Sequence, residues 1–380
     1  MKIVADANIP FVKDCFSSLG EVEVVPGREI TSNVIADADV LLVRSITQVG
    51  SELLAESSVR FVGTATIGLD HVDTNFLSKN NIGFASAPGS NANSAAEYVL
   101  VALLSVAKKH KIQLEGKSIG IVGVGNVGSK VEKKAKALGM VPVLNDPPLQ
   151  RQTGDAKYLP LEELFGCDFI TLHTPLTFEG VDKTFHLADE RFFKSLKAGS
   201  VFINTSRGVV ADTIALKESI QSGRLGAVVL DVWENEPNID IELLRVVDLS
   251  TPHIAGYSLD GKVAGMIMIY KAVCAYFGLE AKYDVADFLH EPDVGELKVD
   301  PDSGPEQDII HQTVQQVYVI NRDDFNTREI AMVPEAERAK FFDDLRKNYP
   351  VRREFHNTKV VLDGPCESLA AKLGGIGFRV

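Results

Sequence analysis

The chain has 380 residues, 45% hydrophobic and 24% charged, the balance of a globular protein with a substantial core spread over two or three domains. Its 39 basic and 52 acidic residues leave a net charge of −13, which argues against general nucleic-acid binding because phosphate contacts need clustered Lys and Arg. Cys15, Cys167, Cys274 and Cys366 are scattered with no C-x-x-C pair, so neither a metal site nor a disulfide framework is expected, only core thiols.

The sequence goes straight into a strand pattern at residues 2–5, with no signal-peptide pattern before it. Further strand patterns at 21–25, 40–44, 61–64 and 82–86 alternate with helical ones. Residues 1–93 therefore read as a small parallel α/β unit. From Asn93 an apolar-faced helix pattern runs through Lys111 as a domain-connecting element. Its most apolar stretch, residues 98–107, is shorter than the ~20 residues that cross a bilayer, so a cytoplasmic protein that makes no membrane contact is expected.

Next comes Gly120-Ile121-Val122-Gly123-Val124-Gly125-Asn126-Val127-Gly128, a glycine-rich turn between a strand pattern at 118–122 and a helix pattern ending at Leu138 and Gly139. A lone G-x-G-x-x-G is weak. In this setting it reads as the first turn of a dinucleotide site, with Gly123 making the bend, Gly125 letting backbone amides approach a pyrophosphate and Gly128 letting helix pack on strand. A second buried strand at 140–144 ends at Asp146. About 20 residues beyond the glycines, a carboxylate accepts hydrogen bonds from the adenosine ribose hydroxyls and repels a 2′-phosphate, so the expected cofactor is NAD. Apolar runs at 169–173, 201–205, 227–232 and 247–250 supply the rest of a six-stranded parallel sheet buried on both faces, in a cofactor domain spanning 94–255.

After Gly256 a helix pattern at 262–279 has no strand nearby, so residues 256–285 are expected to return to the first unit and leave a hinged cleft between the two. Residues 290–308 carry three prolines and many acids, a linker composition. A third, smaller α+β domain is expected over 286–380, with helices at 308–319 and 335–347 and a strand within 354–362. The expected fold class is thus α/β: two Rossmann-like, doubly wound parallel-sheet domains plus this C-terminal domain.

A nicotinamide enzyme acting on an alcohol needs a group that exchanges the hydroxyl proton, a partner that tunes it and a cation for the anionic end of the substrate. Three loops that follow strands of the cofactor sheet offer them: Arg207 in Asn204-Thr205-Ser206-Arg207-Gly208, Glu236 in Asp231-Val232-Trp233-Glu234-Asn235-Glu236-Pro237, and His253 in Thr251-Pro252-His253-Ile254-Ala255-Gly256. Taken singly, each has an ordinary structural reading: a surface ion pair, a solvated loop acid, a hydrogen-bonded core histidine.

Together with His173-Thr174-Pro175-Leu176-Thr177, and in this order and spacing, the loops resemble the D-isomer-specific 2-hydroxyacid dehydrogenases over about residues 1–285. The resemblance implies that His253 is the general acid/base, that Glu236 holds and charges it, and that Arg207 binds the substrate carboxylate. It also implies cofactor contacts at Thr174, Thr205, Ser206, Asp231 and Gly256, beside Gly123, Gly125, Asn126, Val127, Gly128 and Asp146 of the glycine turn and its partner strand. Leu42-Val43-Arg44-Ser45-Ile46-Thr47, Gly63-Thr64-Ala65-Thr66 and Ala255-Gly256-Tyr257-Ser258 narrow it to a branch with a polyhydroxylated, phosphorylated substrate and an extra C-terminal segment. In that branch Ser45, Thr66 and Tyr257 are substrate contacts, residues 286–380 form a homodimer interface, and Arg44 is either a phosphate partner or a surface ion pair. Another 2-hydroxyacid enzyme, such as one acting on phosphoglycerate, is the first alternative, and a non-catalytic NAD-sensing protein the second. The other histidines, His71, His110 and His173 among them, are expected to be structural.

Overall fold

A computed structural model describes residues 1–380 as two compact units, Met1–Asn91 with Ser258–His290, and Ala92–Tyr257 with Glu291–Val380. In the first unit, β1 (Lys2–Asp6), β2 (Glu21–Val25), β3 (Val40–Val43), β4 (Phe61–Thr64) and β5 (Gly83–Ala85) form a parallel sheet in the order β2-β1-β3-β4-β5. Successive residues of these strands point to opposite faces. Ile3, Ala5, Val40, Leu42 and Phe61 therefore pack on one side with Val263, Met266 and Tyr270 of the helix Leu259–Phe277, while Val4, Leu41, Val43 and Val62 pack on the other.

The second unit holds a six-stranded parallel sheet of β6 (Ser118–Val122), β7 (Val141–Asn145), β8 (Phe169–Leu172), β9 (Ser200–Asn204), β10 (Leu225–Leu230) and β11 (Leu249–Ser250), ordered β11-β10-β9-β8-β6-β7. Strand β9 is buried throughout, as a central strand covered on both faces must be. Strand β7 is at the edge, where Pro142 costs no ladder bond and Val141 lies open. The long helix Ala92–His110 lies along one face and contributes Tyr98, Val99, Leu103 and Val106 to its core.

The smaller C-terminal domain packs, from Glu291 onward, in the same compact unit as the cofactor sheet. Leu297, Val299, Ile309, Ile310, Val314, Leu369 and Leu373 share one core with the helix Ala92–His110 and the sheet, and Ile330 and Phe342 enter the core on the opposite face. The helix Glu367–Ile376 crosses the helix Gly128–Ala137 so closely that a Cβ on Gly375 would stand 2.6 Å from that of Ala137. The expected linker at 290–308 contains a strand, β12 (Glu296–Val299), paired in parallel with β13 (Lys359–Leu362). Leu297 and Val299 face inward there while Glu296 and Lys298 face out, an alternation that the surrounding prolines and acids had masked. Helices Ile320–Arg328 and Glu367–Ile376 add to those expected.

Buried polar groups tie the C-terminal residues to the long helix. Glu354 accepts hydrogen bonds from Ser94 Oγ (2.7 Å) and Asn93 Nδ2 (2.6 Å), and Glu97 accepts from the Phe355 N–H at 3.0 Å. Burial pushes the Glu97 carboxyl up to about 8, against the pull of Lys134 3.8 Å away. No helix is long and apolar enough to cross a membrane. Nor does any group of three or more His, Cys, Asp or Glu side chains form a metal-holding cluster.

Candidate active site

The glycine turn lies at the carboxyl end of β6, next to β8, where the strand order of the sheet reverses and open α/β sheets bind their ligands. Gly123 has φ 85°, and a Cβ there would meet the His173 backbone at 2.8 Å. At Gly128 a Cβ would stand 2.0 Å from Gly123 O, so turn and helix require both glycines. Gly125 is different: a Cβ would meet nothing within 4 Å, so the chain itself does not need a glycine there. That open space fits a pyrophosphate approaching the backbone. Asn126 is exposed beside it and Val127 begins the helix Gly128–Ala137.

Asp146 follows β7 and does two local jobs, accepting from Val124 N at 2.8 Å across the turn and capping the helix Pro147–Thr153 through Leu149 N at 2.9 Å. A carboxylate has about four acceptor positions, so capacity for ribose hydroxyls remains. Thr174 Oγ1 is enclosed with no hydrogen-bond partner, a polar atom suited to a bound cofactor. His173 bridges Thr171 Oγ1 (3.0 Å) and Thr205 Oγ1 (3.2 Å), and burial pushes its ring down to about 3, keeping it neutral. Ser206 is buried and donates from N and Oγ to Asn204 Oδ1.

Arg207, Glu236 and His253 stand on three loops at the carboxyl ends of β9, β10 and β11. His253 Nδ1 meets Glu236 Oε2 at 2.7 Å, and the other Glu236 oxygen accepts from Trp233 N at 2.8 Å. Burial alone would raise the Glu236 carboxyl, but the His253 charge, its hydrogen bond and the Trp233 amide outweigh it and hold the group below its ordinary value. Burial lowers the His253 ring, yet the Glu236 carboxylate more than reverses this, so the imidazole sits above its ordinary value. The arginine loop is drawn against the glutamate loop at Gly208, where a Cβ would fall 1.9 Å from the Trp233 carbonyl carbon. Arg207 itself donates from Nη1 to Ser206 O at 2.8 Å.

Asp231 organises the histidine loop from below. Its backbone carbonyl accepts from His253 N at 2.6 Å, and its carboxylate accepts from Ile254 N (2.7 Å), Ala255 N (3.0 Å) and Thr251 Oγ1 (2.7 Å). These bonds hold His253 at φ 59°, a left-handed conformation that a non-glycine residue keeps only when its surroundings impose it. Gly256 and Tyr257 complete the loop, with Tyr257 N donating back to Ile254 O at 2.8 Å.

Of the residues marked as substrate contacts, only Tyr257 shares a unit with the His253 pair. Arg44, Ser45 and Thr66 belong to the first unit. Arg44 and Ser45 follow β3 at the point where that sheet reverses, and Arg44 Nη1 reaches Asn8 O beyond β1 at 3.4 Å. Thr66 shares a hydroxyl network with Thr64 (2.8 Å), which in turn meets His71 Nε2 at 2.9 Å. Two residues unmarked in the sequence also border the site. Arg346 holds its guanidinium carbon 5.9 Å from the centre of the Tyr257 ring, and Tyr349 meets that ring edge-on at 5.9 Å. No local motif announces either, because both reach the site through the fold of the C-terminal residues.

A family model described as D-isomer specific 2-hydroxyacid dehydrogenase, NAD binding domain, matches residues 96–255, and one described as Domain of unknown function (DUF3410) matches residues 288–377. The chain is 44% identical over 377 residues to an erythronate-4-phosphate dehydrogenase from Escherichia coli O1:K1 / APEC, covering 98% of each chain. It is 42% identical over 384 residues to the enzyme of that name from Hahella chejuensis, covering 100% of this chain and 99% of the other. Among solved structures it resembles the TT0316 protein of Thermus thermophilus (TM-score 0.66, 25% identity, 74% of this chain and 99% of that one). It also resembles the NAD-bound 3-phosphoglycerate dehydrogenase of Entamoeba histolytica (TM-score 0.62, 25% identity, 76% and 99%). With an NAD-binding domain carrying its glycine turn and its three charged loops, the chain belongs to the D-isomer-specific 2-hydroxyacid dehydrogenases, in the erythronate-4-phosphate dehydrogenase family.

Proposed function

We propose that this protein oxidises 4-phospho-D-erythronate to 2-oxo-3-hydroxy-4-phosphobutanoate with NAD, in the cytoplasm, as a step of pyridoxal phosphate synthesis. The observation that carries the reading is the 2.7 Å contact between His253 Nδ1 and Glu236, on a loop adjoining Arg207 at the cofactor end of the sheet. Bound NAD supplies the electron-pair acceptor at its nicotinamide ring, held by the Gly123–Gly128 turn, Asp146 and the loop residues Thr174, Thr205, Ser206, Asp231 and Gly256. Arg207 grips the substrate carboxylate, for which a planar guanidinium offers two parallel donors. His253 donates a hydrogen bond from Nδ1–H to Glu236 while keeping that proton, which fixes the tautomer and leaves Nε2 as the acceptor for the C2 hydroxyl proton. The imidazolium so formed is stabilised by the Glu236 carboxylate, kept ionised in turn by Trp233 N–H and the histidine itself.

Tyr257, Ser45, Thr66 and Arg44 are assigned to the substrate on the family resemblance. On the same ground residues 286–380 are the surface through which two copies pair; the exposure of Phe325 (65%), Met332 (85%) and Val351 (70%) supports that assignment. Purified protein incubated with NAD and a panel of 2-hydroxy acids, with and without a terminal phosphate, tests the substrate reading through NADH appearance. Equal kcat/KM for 4-phospho-D-erythronate and D-erythronate, or a preference for D-3-phosphoglycerate, would overturn it.

A further inference from the structure

Arg346 lies in the last turn of the helix Glu335–Lys347, where a cation is favoured by the helix dipole alone. Its surroundings ask for more than that. The side chain is half-buried against the Tyr257 ring, and its Nε is enclosed without a hydrogen-bond partner. The Tyr257 backbone is tied to Ile254, the neighbour of His253, and Pro252 lines the same recess as Leu345, Asn348 and Tyr349. The end of this helix is therefore packed on the histidine loop. The Arg346 charge reaches both members of the acid/base pair, lowering the Glu236 carboxyl and the His253 ring.

Against the cost of burial, the guanidinium is held charged by a hydrogen bond to the Tyr257 side chain and by the Glu236 and Asp343 carboxylates, but its desolvated Nε donor is left for a further anion to complete. Arg352, the other buried arginine of this region, also keeps an enclosed nitrogen without a partner, Nη1, but its Nη2 donates to Ala255 O (2.7 Å) and Ser94 O (3.3 Å) and its guanidinium carbon lies 4.3 Å from the centre of the Tyr318 ring, not beside Tyr257. A phosphorylated 2-hydroxy acid carries two anionic ends into a protein of net charge −13, so each end needs a short-range cation. Arg207 serves the carboxylate. We propose that Arg346 binds the terminal phosphate of the substrate beside Tyr257, so that the C-terminal residues complete the substrate site. This assignment rests on the proposed phospho-hydroxyacid activity.

Two measurements on the NAD-loaded full-length protein test it, using Arg346→Gln and Arg346→Lys. The first is the affinity for inorganic phosphate by titration calorimetry. It should weaken by at least about tenfold in Arg346→Gln, the loss of a charge-assisted bond, and by less in Arg346→Lys, which keeps the charge but not the planar fork. The second is the ratio of kcat/KM for 4-phospho-D-erythronate over D-erythronate, which should fall by about 10²-fold in Arg346→Gln. A merely structural role would lower both substrates together and leave the ratio unchanged, and that result would overturn the proposal. So would unchanged phosphate affinity. If the wild type does not discriminate between the two acids while its phosphate affinity still depends on Arg346, the anion site stands and the substrate reading fails.

Discussion

Glu236→Gln removes one charge from the 2.7 Å contact with His253 and should displace the pH profile of the reaction. Two unit charges about 4 Å apart attract by about 4 kcal/mol at an effective dielectric of about 20. The side chains of His253 and Glu236 are 33% and 20% exposed, so solvent screening reduces this to about 1–3 kcal/mol, equivalent to about one to two pH units. Without Glu236, burial and the Arg346 charge both press the His253 ring below its ordinary value, opposed only by Asp231. Oxidation needs the neutral ring, so the acid limb of kcat/KM should move to lower pH by about one to two units. The plateau should meanwhile drop by about 10²–10⁴-fold, because the imidazolium formed in the reaction has lost its support. Initial rates of NADH formation across pH 5–10, with His253→Ala as the reference for complete loss of the base, would measure both effects. A lowered plateau with the acid limb unmoved would refute the idea that Glu236 sets the charge of His253. The pair also links folding to pH. The raised His253 contributes stability that is full below 6.5 and lost as pH rises through its folded value; the lowered Glu236 contributes stability present above 4.5 and lost as pH falls through its own. The difference in Tm between wild type and Glu236→Gln should therefore be largest between those two values and shrink as pH rises through the folded value of His253.

The two glycines of the turn should separate folding from cofactor binding: Gly125→Ala should keep the thermal stability and lose NAD affinity, whereas Gly128→Ala, whose Cβ falls 2.0 Å from Gly123 O, should lose stability as well. Equal loss of Tm in both would show that the open space at Gly125 is not reserved for the cofactor. Asp146→Ala should narrow the preference for NAD over NADP in steady-state kinetics and, by removing a helix cap, cost about 0.5–2 kcal/mol in denaturant unfolding. A wild type that used NADP equally well would remove Asp146 from cofactor selection. If residues 286–380 carry the proposed pairing surface, wild type should sediment as a dimer and Phe325→Glu with Met332→Glu as a monomer; an equal sedimenting mass for the two would count against that surface.

The elements that were legible in the sequence are those whose signal is local. Strands β6 and β9 show as unbroken apolar runs because both faces of a central strand are covered, and the glycine turn shows because its backbone needs conformations and close approaches that side chains forbid. Strand β12 was hidden, since two inward residues, Leu297 and Val299, cannot outweigh a window of prolines and acids until β13 is there to pair with them. The same limit applied at the site. Arg207, Glu236 and His253 could be picked out by motif and resemblance, each on a loop after an apolar run. That His253 and Glu236 meet at 2.7 Å, that Gly208 draws the arginine loop onto Trp233, and that Asp231 holds three successive amides of the histidine loop are facts of packing. Arg346 is the extreme case. An arginine ending an amphipathic helix reads as a surface cation, and what places it beside Tyr257 is the burial of Ile330 and Phe342 in the core of the cofactor unit, far away along the chain. Periodicity reports which face of an element is covered; only the assembled core decides what covers it, because the free energy of that contact belongs to both partners and is written in neither segment alone.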